Sequence, residues 1–369
     1  MTVAVLGAGQ LGRMLALAGA PLGLRCRFLD PAPDSPASHV GEQIVAAYDE
    51  PGALARLIDG AAATTYEFEN VPAATAAYLE RHGHVHPPAR ALETAQDRAV
   101  EKAFFRSLGA ATPEFAAIDS EADLAGALSR IGAPSILKTR RMGYDGKGQA
   151  AIRDARAAGA AWRSLGGQPL TLEAFVPFDR ELSIIAARST SGETAFYPLV
   201  QNEHREGILF RSAAPAPGLT AALQREAEAI ATAALDALRY VGVLVIELFE
   251  VGGRLLVNEM ACRVHNSGHW TIEGAETSQF ENHLRAILGL PLGSTAARGG
   301  SVMLNLVGGT PPAAALLEDR RLRLHLYGKA PRPGRKVGHV TLVDSDGESL
   351  AARAARAAAL VEASTALNA

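Results

Sequence analysis

The sequence predicts a mixed α/β fold, and two stretches of the chain carry this prediction. At the N-terminus an apolar strand leads into a glycine-rich turn, a helix and a second strand that ends at Asp30. This is the order of a βαβ unit. Further along, apolar strand segments between residues 170 and 261 alternate with a long helical segment at 221–240. Alternation of this kind is typical of sheets that are covered by helices.

The composition is that of a globular chain with two or three domains. The chain has 369 residues, of which 48% are hydrophobic and 20% are charged, which is enough to bury more than one core. A net charge of -3 leaves no basic excess for a nucleic-acid backbone, so small-molecule partners are expected. Cys26 and Cys262 are too few for a disulfide framework, which favours the cytoplasm. No signal peptide and no apolar run of roughly 18 residues is recognised, so no membrane partner is expected.

Lysine is scarce in this chain, because only five of the 36 basic residues are lysines. A compact ammonium group suits a phosphate oxygen where a planar guanidinium does not fit. Each retained lysine is therefore a candidate site residue, with chance survival as the alternative. The five are Lys102, Lys138, Lys147, Lys329 and Lys336.

The first glycine motif is the turn formed by Gly7, Gly9 and Gly12 between the first strand and the first helix. Glycines allow a phosphate to approach the free N–H groups of a helix N-terminus. Together with Asp30, the motif would also suit a dinucleotide ribose, so an NAD-dependent oxidoreductase is one interpretation. A turn that only packs the helix against the strand is another.

The second glycine motif joins two strands. Lys138 ends the first strand, and the loop Gly143–Gln149 leads into the next. It is not a Walker loop, because no helix with Lys-Ser or Lys-Thr follows it. A glycine flap that closes over phosphates, with Lys138 behind it and Lys147 within it, fits ATP bound between two sheets. A solvated hairpin tip would explain the glycines but not the two lysines.

Two apolar strands separated by Gly252-Gly253 carry Glu247 in the first strand, and Asn258 and Glu259 in the second. Buried carboxylates are costly unless they are paired or bind a metal, so the pattern indicates a Mg²⁺ site that bridges ATP phosphates. A two-residue loop would place Glu247 opposite Asn258, whereas an odd loop places it opposite Glu259. We expect the odd loop. A structural carboxylate pair held by arginine is the alternative.

A dense polar run, from Arg263 to Trp270, follows the second of these strands. Sites are often built on loops at strand ends, although His265 taken alone would more readily be a buried structural histidine. Further along, Arg335 and Lys336 lie in a proline-containing loop that suits a substrate phosphate. A solvated loop charge is the alternative.

Taken in order, ten segments from residue 4 to about residue 342 resemble the N5-carboxyaminoimidazole ribonucleotide synthase family of ATP-grasp enzymes. The segments are GAGQLGRM, TYEFEN, QDRAVEK, GYDGKGQ, RELS, VGVLVIELF, NEMACRVHNSGHW, SQFENHLRA, HLYGK and GRKVGHVT. The glycine turn is shared widely, but HNSGHW followed by SQFENHLRA and GRKVGHVT is specific within the ATP-grasp group.

The resemblance implies an ATP-grasp fold of four segments. They are an N-terminal Rossmann-like preATP-grasp domain at 1–97, a small lid domain at 98–172, a larger mixed-sheet core domain at 173–300, and a β-rich portion with a closing helix at 301–369 that packs on the core. ATP would lie between the lid and core domains with two Mg²⁺ ions. A homodimer is also implied, together with functional coupling to the mutase that uses the unstable product.

The implied activity is the ATP-dependent carboxylation of 5-aminoimidazole ribonucleotide in purine (IMP) biosynthesis. ATP phosphorylates bicarbonate to carboxyphosphate, and the exocyclic amine of the ribonucleotide then takes up the carboxyl group, with release of ADP and phosphate. No covalent enzyme nucleophile is required, which agrees with the absence of a recognisable Ser-His-Asp or Cys-His pattern.

The resemblance also implies a role for individual residues. The ATP-binding set is Arg98, Lys138, Gly143, Tyr144, Asp145, Gly146, Lys147, Gly148, Gln149, Glu173, Ala174, Phe175, Val176, Glu181, His204, Asn258 and Glu259. The catalytic set, which would face bicarbonate or the ribonucleotide, is Tyr144, Asp145, Arg263, His265 and Asn266. The ribonucleotide-binding set is Gln10, Leu11, Glu67, Arg335 and Lys336, and the metal ligands are Glu247 and Glu259.

Two positions depart from the family pattern, with Met142 in place of a glycine and Cys262 in place of a proline. Neither removes a polar group that the chemistry needs. Three other interpretations stay open: an NAD-linked oxidoreductase, a different ATP-grasp ligase such as a formate-using transformylase or a biotin carboxylase, and a non-catalytic nucleotide-binding protein. A requirement for bicarbonate rather than formate would separate the two kinds of ligase.

Overall fold

The computed structural model describes residues 1–143 and 146–366, with side chains described to residue 364. Three β-sheets with their covering helices make up this part of the chain. The first is a parallel sheet in the strand order β3-β2-β1-β4. Its strands are β1 (Thr2–Leu6), β2 (Arg25–Asp30), β3 (Glu42–Val45) and β4 (Ala61–Tyr66). The predicted βαβ opening is therefore present, and the glycine turn lies at the carboxyl end of β1.

The chain up to residue 107 contains five helices. They are α1 (Gln10–Gly19), α2 (Pro51–Ile58), α3 (Ala73–Glu80), α4 (Ala89–Ala95) and α5 (Arg98–Ser107). Helix α5 begins at Arg98 because the Asp97 carboxylate accepts hydrogen bonds from the N–H groups of Ala99 and Val100 at 3.0 and 3.3 Å. The cap fixes Arg98 in the first turn of the helix.

The second sheet, called here the lid sheet, is antiparallel in the order β5-β8-β6-β7. Its elements are β5 (Phe115–Ile118), α6 (Glu121–Ile131), β6 (Ser135–Thr139), β7 (Gln149–Ile152), α7 (Ala158–Ser164) and β8 (Leu170–Ala174). It has a small core of its own, in which Leu137, Ile152 and Leu172 are fully buried. The glycine loop connects β6 to β7 at one edge of this sheet.

The third sheet, called here the large sheet, contains nine antiparallel strands in the order β14-β13-β9-β11-β12-β15-β17-β16, with β10 paired to β9. Its strands are β9 (Arg180–Arg188), β10 (Thr194–Phe196), β11 (Val200–Arg205), β12 (Ile208–Ala214), β13 (Gly242–Val251), β14 (Arg254–Ala261), β15 (Gly300–Val307), β16 (Arg323–Leu326) and β17 (Lys336–Asp344). Because β15 pairs with β12, the C-terminal segment extends the sheet of the preceding segment.

The remaining helices lie against the large sheet or close the chain. They are α8 (Ala221–Leu238), α9 (Thr271–Gly274), α10 (Gln279–Ile287), α11 (Ala313–Leu317) and α12 (Gly347–Ala366). Among the described helices, none has the length and apolar character needed to cross a lipid bilayer. The mixed α/β prediction is confirmed by this arrangement.

Candidate active site

A buried cluster of opposite charges lies beside the lid sheet. The Nζ atom of Lys138, at the end of β6, lies 2.8 Å from Oε2 of Glu173 on β8. Lys102 of α5 reaches the same oxygen at 3.4 Å. Burial opposes ionisation of Glu173, but the charges of Lys138 and Lys102 outweigh it and lower the pKa of the carboxyl. The Glu173 side chain therefore holds Lys138 in place through Oε2, while its Oε1 is buried and has no partner among the described atoms.

The glycine loop leaves β6 close to this cluster. A Cβ atom on Gly146 would lie 2.8 Å from the carbonyl oxygen of Glu206, in the turn between β11 and β12. A Cβ atom on Gly148 would lie 2.6 Å from Oγ1 of Thr139. Both glycines have positive φ, +73° and +70°, so side chains here would be strained as well as crowded. The loop thus reaches from the lid sheet to the large sheet.

Two residues of the predicted loop, Tyr144 and Asp145, lie outside the described residues. The carbonyl of Gly143, just before them, accepts a hydrogen bond of 3.4 Å from Nη2 of Arg98. Arg98 therefore links the base of the loop to the first turn of α5.

The two predicted metal ligands lie opposite one another on neighbouring strands, with Glu247 of β13 paired to Glu259 of β14. The predicted pairing is confirmed, but the predicted odd loop is wrong. The loop is the two-residue Gly252-Gly253, both at positive φ, and Val251 pairs with Arg254. A β-bulge supplies the extra residue, since Leu248 pairs with Val257 and Asn258 is left between the two pairs.

The bulge also brings two polar atoms of Asn258 into the site. Its carbonyl oxygen accepts a hydrogen bond of 2.8 Å from Nζ of Lys102. Its side-chain Oδ1 is buried and has no partner among the described atoms. A buried oxygen without a donor, next to two carboxylates, is the ligand chemistry that a hard cation takes.

The two carboxylates differ in charge state. Burial and the nearby charge of Glu259 raise the pKa of Glu247 to about 7. Burial would raise the pKa of Glu259 too, but Arg98, whose Nη1 lies 2.6 Å from Oε2 of Glu259, outweighs it and holds that pKa at about 2. The pair is thus electrostatically unfavourable without a cation, and Arg98 compensates one member of it.

Glu181 and His204, predicted to act on the nucleotide, are neighbours across β9 and β11. Nδ1 of His204 lies 2.5 Å from Oε2 of Glu181. Burial opposes the charged imidazolium, but the bond to Glu181 and the charge of Glu247 outweigh it, so the pKa of His204 is raised. This pair and the two metal-ligand candidates therefore belong to one electrostatic cluster.

The polar run after β14 brings Arg263 and His265 to the same region. Nη2 of Arg263 lies 3.1 Å from Oε2 of Glu69, in the loop after β4. The Nδ1 atom of His265 accepts a hydrogen bond of 3.3 Å from the N–H of Ser267, so the ring proton lies on Nε2, which is 3.6 Å from Glu247. Burial and the charge of Arg263 hold the pKa of His265 well below its usual value, so the imidazole is neutral.

The first glycine turn is already occupied by a side chain of the protein. The Glu67 carboxylate accepts hydrogen bonds from the N–H groups of Gly9 and Gly12, at 2.8 and 3.1 Å. The turn therefore does not present these two donors to a dinucleotide phosphate. The predicted Leu11 is a buried residue of α1, 7% exposed, so its side chain packs in the core and only its backbone is available to a ligand.

Lys329 meets the first glycine turn from the far end of the chain. Its Nζ lies 3.0 Å from Oε1 of Gln10. Lys329 belongs to the loop that also carries Arg335 and leads to Lys336 at the start of β17. Burial, followed by the charge of Arg335, lowers the pKa of Lys329 to about 8. The scarcity of lysine had made Lys329 a candidate site residue, but none of the binding sets implied by the resemblance included it. Glu69, two residues after Glu67, was also missed.

A cleft between an antiparallel lid sheet and a large antiparallel sheet, with a lid lysine whose charge acts on one of two paired carboxylates, defines an ATP-grasp enzyme. Comparison with known protein families agrees. Residues 103–280 match the ATP-grasp domain, residues 1–96 the ribonucleotide synthetase preATP-grasp domain, and residues 301–353 the phosphoribosylaminoimidazole carboxylase C-terminal domain. The chain belongs to the N5-carboxyaminoimidazole ribonucleotide synthase family.

Individual relatives support this membership over almost the whole chain. The N5-carboxyaminoimidazole ribonucleotide synthase of Pseudomonas aeruginosa is 53% identical over 363 residues, which cover 98% of this chain and 100% of that protein. The synthetase structure from Thermus thermophilus is 57% identical, with a TM-score of 0.94 and 98% of each chain covered. The synthase structure from Aspergillus clavatus, in complex with ADP and 5-aminoimidazole ribonucleotide, is 30% identical with a TM-score of 0.90 and 98% of each chain covered. The predicted family, fold class and ATP-dependent ligase class are confirmed.

Proposed function

We propose that the cleft between the lid sheet and the large sheet carries out the family reaction through the residues described above. The reaction is the ATP-dependent carboxylation of 5-aminoimidazole ribonucleotide in purine biosynthesis. The observation that carries the residue assignment is the position of Lys138 and of the Glu247–Glu259 pair around one cleft, beneath a glycine loop that touches both sheets. Lys138, Lys147 and the loop N–H groups would receive the ATP phosphates.

Glu247, Glu259 and the orphaned Oδ1 of Asn258 would hold Mg²⁺. The fit is supported by the electrostatics, since a divalent cation would offset both the burial and the charge of Glu259 that raise the pKa of Glu247. In residues 1–143 and 146–366, no group of three His, Cys, Asp or Glu side chains could hold a metal ion. The two carboxylates therefore need oxygen ligands from ATP, and two bridging Mg²⁺ ions would screen the charge of the transferring phosphoryl group.

The chemistry then needs positioning rather than a covalent nucleophile. An oxygen of bicarbonate forms a bond to the γ-phosphorus of ATP while the bond from that phosphorus to the ADP oxygen breaks, which gives carboxyphosphate and ADP. The exocyclic amine of the ribonucleotide next bonds to the carboxyl carbon, the bond to the phosphate oxygen breaks, and the amine loses a proton. Arg263 and the Nε2–H group of neutral His265 would orient the anionic carboxyphosphate as hydrogen-bond donors.

The ribonucleotide phosphate would lie at the end of the cleft formed by the first glycine turn. Lys329, Arg335 and Lys336 supply positive charge there, and the N–H groups of Gln10 and Leu11 at the start of α1 add backbone donors. Glu67 occupies the neighbouring N–H groups of Gly9 and Gly12. It would therefore shape the turn and confine the phosphate to the first helical residues.

We propose domains at 1–97, 98–172 and 173–300 with a C-terminal portion at 301–369; β8, which ends at Ala174, runs two residues past the second boundary. Tyr144 and Asp145 would meet the second substrate, so that closure of the lid over ATP is coupled to carboxylation. The family resemblance also supports a cytoplasmic homodimer that passes its product to the mutase. Light scattering of the purified protein tests whether it is a dimer.

The assignment is tested by following carbon from labelled bicarbonate. With ATP, Mg²⁺ and 5-aminoimidazole ribonucleotide, we expect one labelled carboxyl group in the product per ATP consumed, and none when formate replaces bicarbonate. Consumption of formate instead would identify a different ATP-grasp ligase. The Lys138→Ala variant serves as the control for the ATP site, because it should bind the ribonucleotide yet incorporate no label.

A further inference from the structure

Two buried carboxamides outside the assigned site hold the segment that contains His265 and Asn266. Gln279, the first residue of α10, accepts a hydrogen bond of 3.0 Å from the backbone N–H of His265 and donates one of 2.6 Å to its carbonyl oxygen. Gln279 is fully buried. A Cβ atom on Gly268 would lie 2.4 Å from Oε1 of Gln279, so the backbone of Gly268 packs directly against the Gln279 carboxamide.

The second carboxamide is Asn305 of β15, which forms a reciprocal pair with Asn266. Nδ2 of Asn266 donates to Oδ1 of Asn305 at 3.0 Å, and Nδ2 of Asn305 donates to Oδ1 of Asn266 at 2.7 Å. Asn305 also donates to the backbone carbonyl of Leu209 at 2.8 Å. Asn305 is fully buried, whereas Asn266 is 9% exposed.

The carbonyl of Leu209 decides which way both amides face. A backbone carbonyl can only accept, so the Asn305 atom beside it must be the nitrogen. Its oxygen then faces Asn266, whose Nδ2 must donate to it. Oδ1 of Asn266 and one of its two N–H groups are thereby used within the protein. Asn266 has two groups left for a ligand, the second N–H and the second lone pair of Oδ1, and an anion can pair only with the N–H, which is a donor.

We propose that Asn305 and Gln279 are positioning residues that fix the His265–Asn266 segment and set Asn266 as a hydrogen-bond donor to an oxyanion, namely bicarbonate or carboxyphosphate. The inference rests on the proposed function of the cleft. A flipped Asn266 would direct its oxygen lone pairs at the anion and repel it. Neither positioning residue need touch the substrate for its loss to affect binding of bicarbonate.

The test compares Asn305→Ser with Asn282→Ser. Asn282 of α10 is an equally buried asparagine that also makes three hydrogen bonds, to the Tyr197 hydroxyl and to the carbonyl and N–H groups of Gly293, and neither partner is an assigned residue. We expect Asn305→Ser to raise the KM for bicarbonate about tenfold or more, with the KM for ATP within about twofold of wild type. Asn282→Ser should lower the melting temperature while leaving both KM values within about twofold.

Two further variants cover the case in which Asn305→Ser does not fold. Gln279→Glu keeps the acceptor for the His265 N–H and loses the donor, and Asn305→Asp removes both donors of Asn305. Each should also raise the KM for bicarbonate selectively. Wild-type bicarbonate KM in every variant that folds would overturn the proposal. Absence of bicarbonate-dependent carboxylation by the wild-type protein would instead overturn the proposed function of the cleft.

Discussion

Glu247 lies directly opposite Glu259 across the β13–β14 hairpin. The pairing depends on the bulge at Asn258, because an unbroken hairpin with the same two-residue loop would have placed Asn258 there. Burial, together with the charge of Glu259, raises the pKa of Glu247 to about 7, so ionised Glu247 costs free energy in the metal-free protein. A cation that binds both residues removes that cost.

We expect Glu247→Gln to stabilise the metal-free protein while abolishing its Mg²⁺-dependent activity. The folded-state pKa of Glu247 is raised from 4.5 to about 7, so its ionised form costs free energy in the fold. That cost is absent below about pH 4.5 and complete above about pH 7. Denaturant unfolding in EDTA should show the variant about 1–2 kcal/mol more stable than wild type at pH 8, and less different at pH 5. A destabilised variant at pH 8 would contradict the cost assigned to ionised Glu247.

The lysines at the two ends of the cleft should separate nucleotide from ribonucleotide binding. Lys138→Ala should weaken ATP binding on the order of 100-fold, while the fold persists because Lys102 still pairs with Glu173. Lys336→Ala should mainly raise the Kd for the ribonucleotide. Isothermal calorimetry with each ligand measures both effects, and the reverse pattern would show that the two ends are wrongly assigned.

Binding of the ribonucleotide should weaken at alkaline pH because of Lys329. Burial lowers the pKa of Lys329 to about 8, so its ammonium form, which would meet the phosphate, is lost as the pH rises above that value. The KM for the ribonucleotide should therefore rise by up to about tenfold per pH unit above pH 8. Lys329→Arg, which stays charged, should make the KM for the ribonucleotide less dependent on pH. If the pH dependence is the same as in wild type, the ribonucleotide phosphate does not bind at Lys329.

The contact between the lid and the large sheet is tested at Gly146. Gly146→Ala would meet the carbonyl of Glu206, so kcat/KM for ATP should fall by about tenfold. Gly166→Ala is the matched control. Gly166 also lies in the lid segment at positive φ, +79°, but a Cβ there meets nothing within 4 Å. The Gly166→Ala variant should therefore lose about 1 kcal/mol of stability while its kcat/KM for ATP stays at the wild-type value. Equal kinetic losses in both variants would point to backbone strain rather than to the contact.

Much of the site could be predicted from local sequence. Scarcity of lysine and the glycine loop indicated Lys138, and the strand pattern indicated Glu247 and Glu259. What local sequence does not contain is the bulge at Asn258, since a bulge depends on how both strands pack against their neighbours. The odd loop was a wrong explanation of a correct pairing for that reason.

Long-range side-chain partners escaped prediction as well. The carboxylate of Glu67 at the first glycine turn, 55 residues from Gly12, removes donors that the glycine pattern alone leaves open. Asn305 and Asn266 are 39 residues apart and meet only because β15 joins the large sheet beside β12. Lys329 reaches Gln10 across 319 residues. Such contacts follow from topology, which the order of strands and helices does not determine.

The decisive measurement is the release of phosphate from ATP by the wild-type protein, with and without bicarbonate and 5-aminoimidazole ribonucleotide. We expect phosphate release to be stimulated strongly when both are present, because the ribonucleotide consumes the carboxyphosphate that the lid protects from water. Phosphate release that is indifferent to the ribonucleotide would contradict the assignment of the second substrate, even with the ATP site intact.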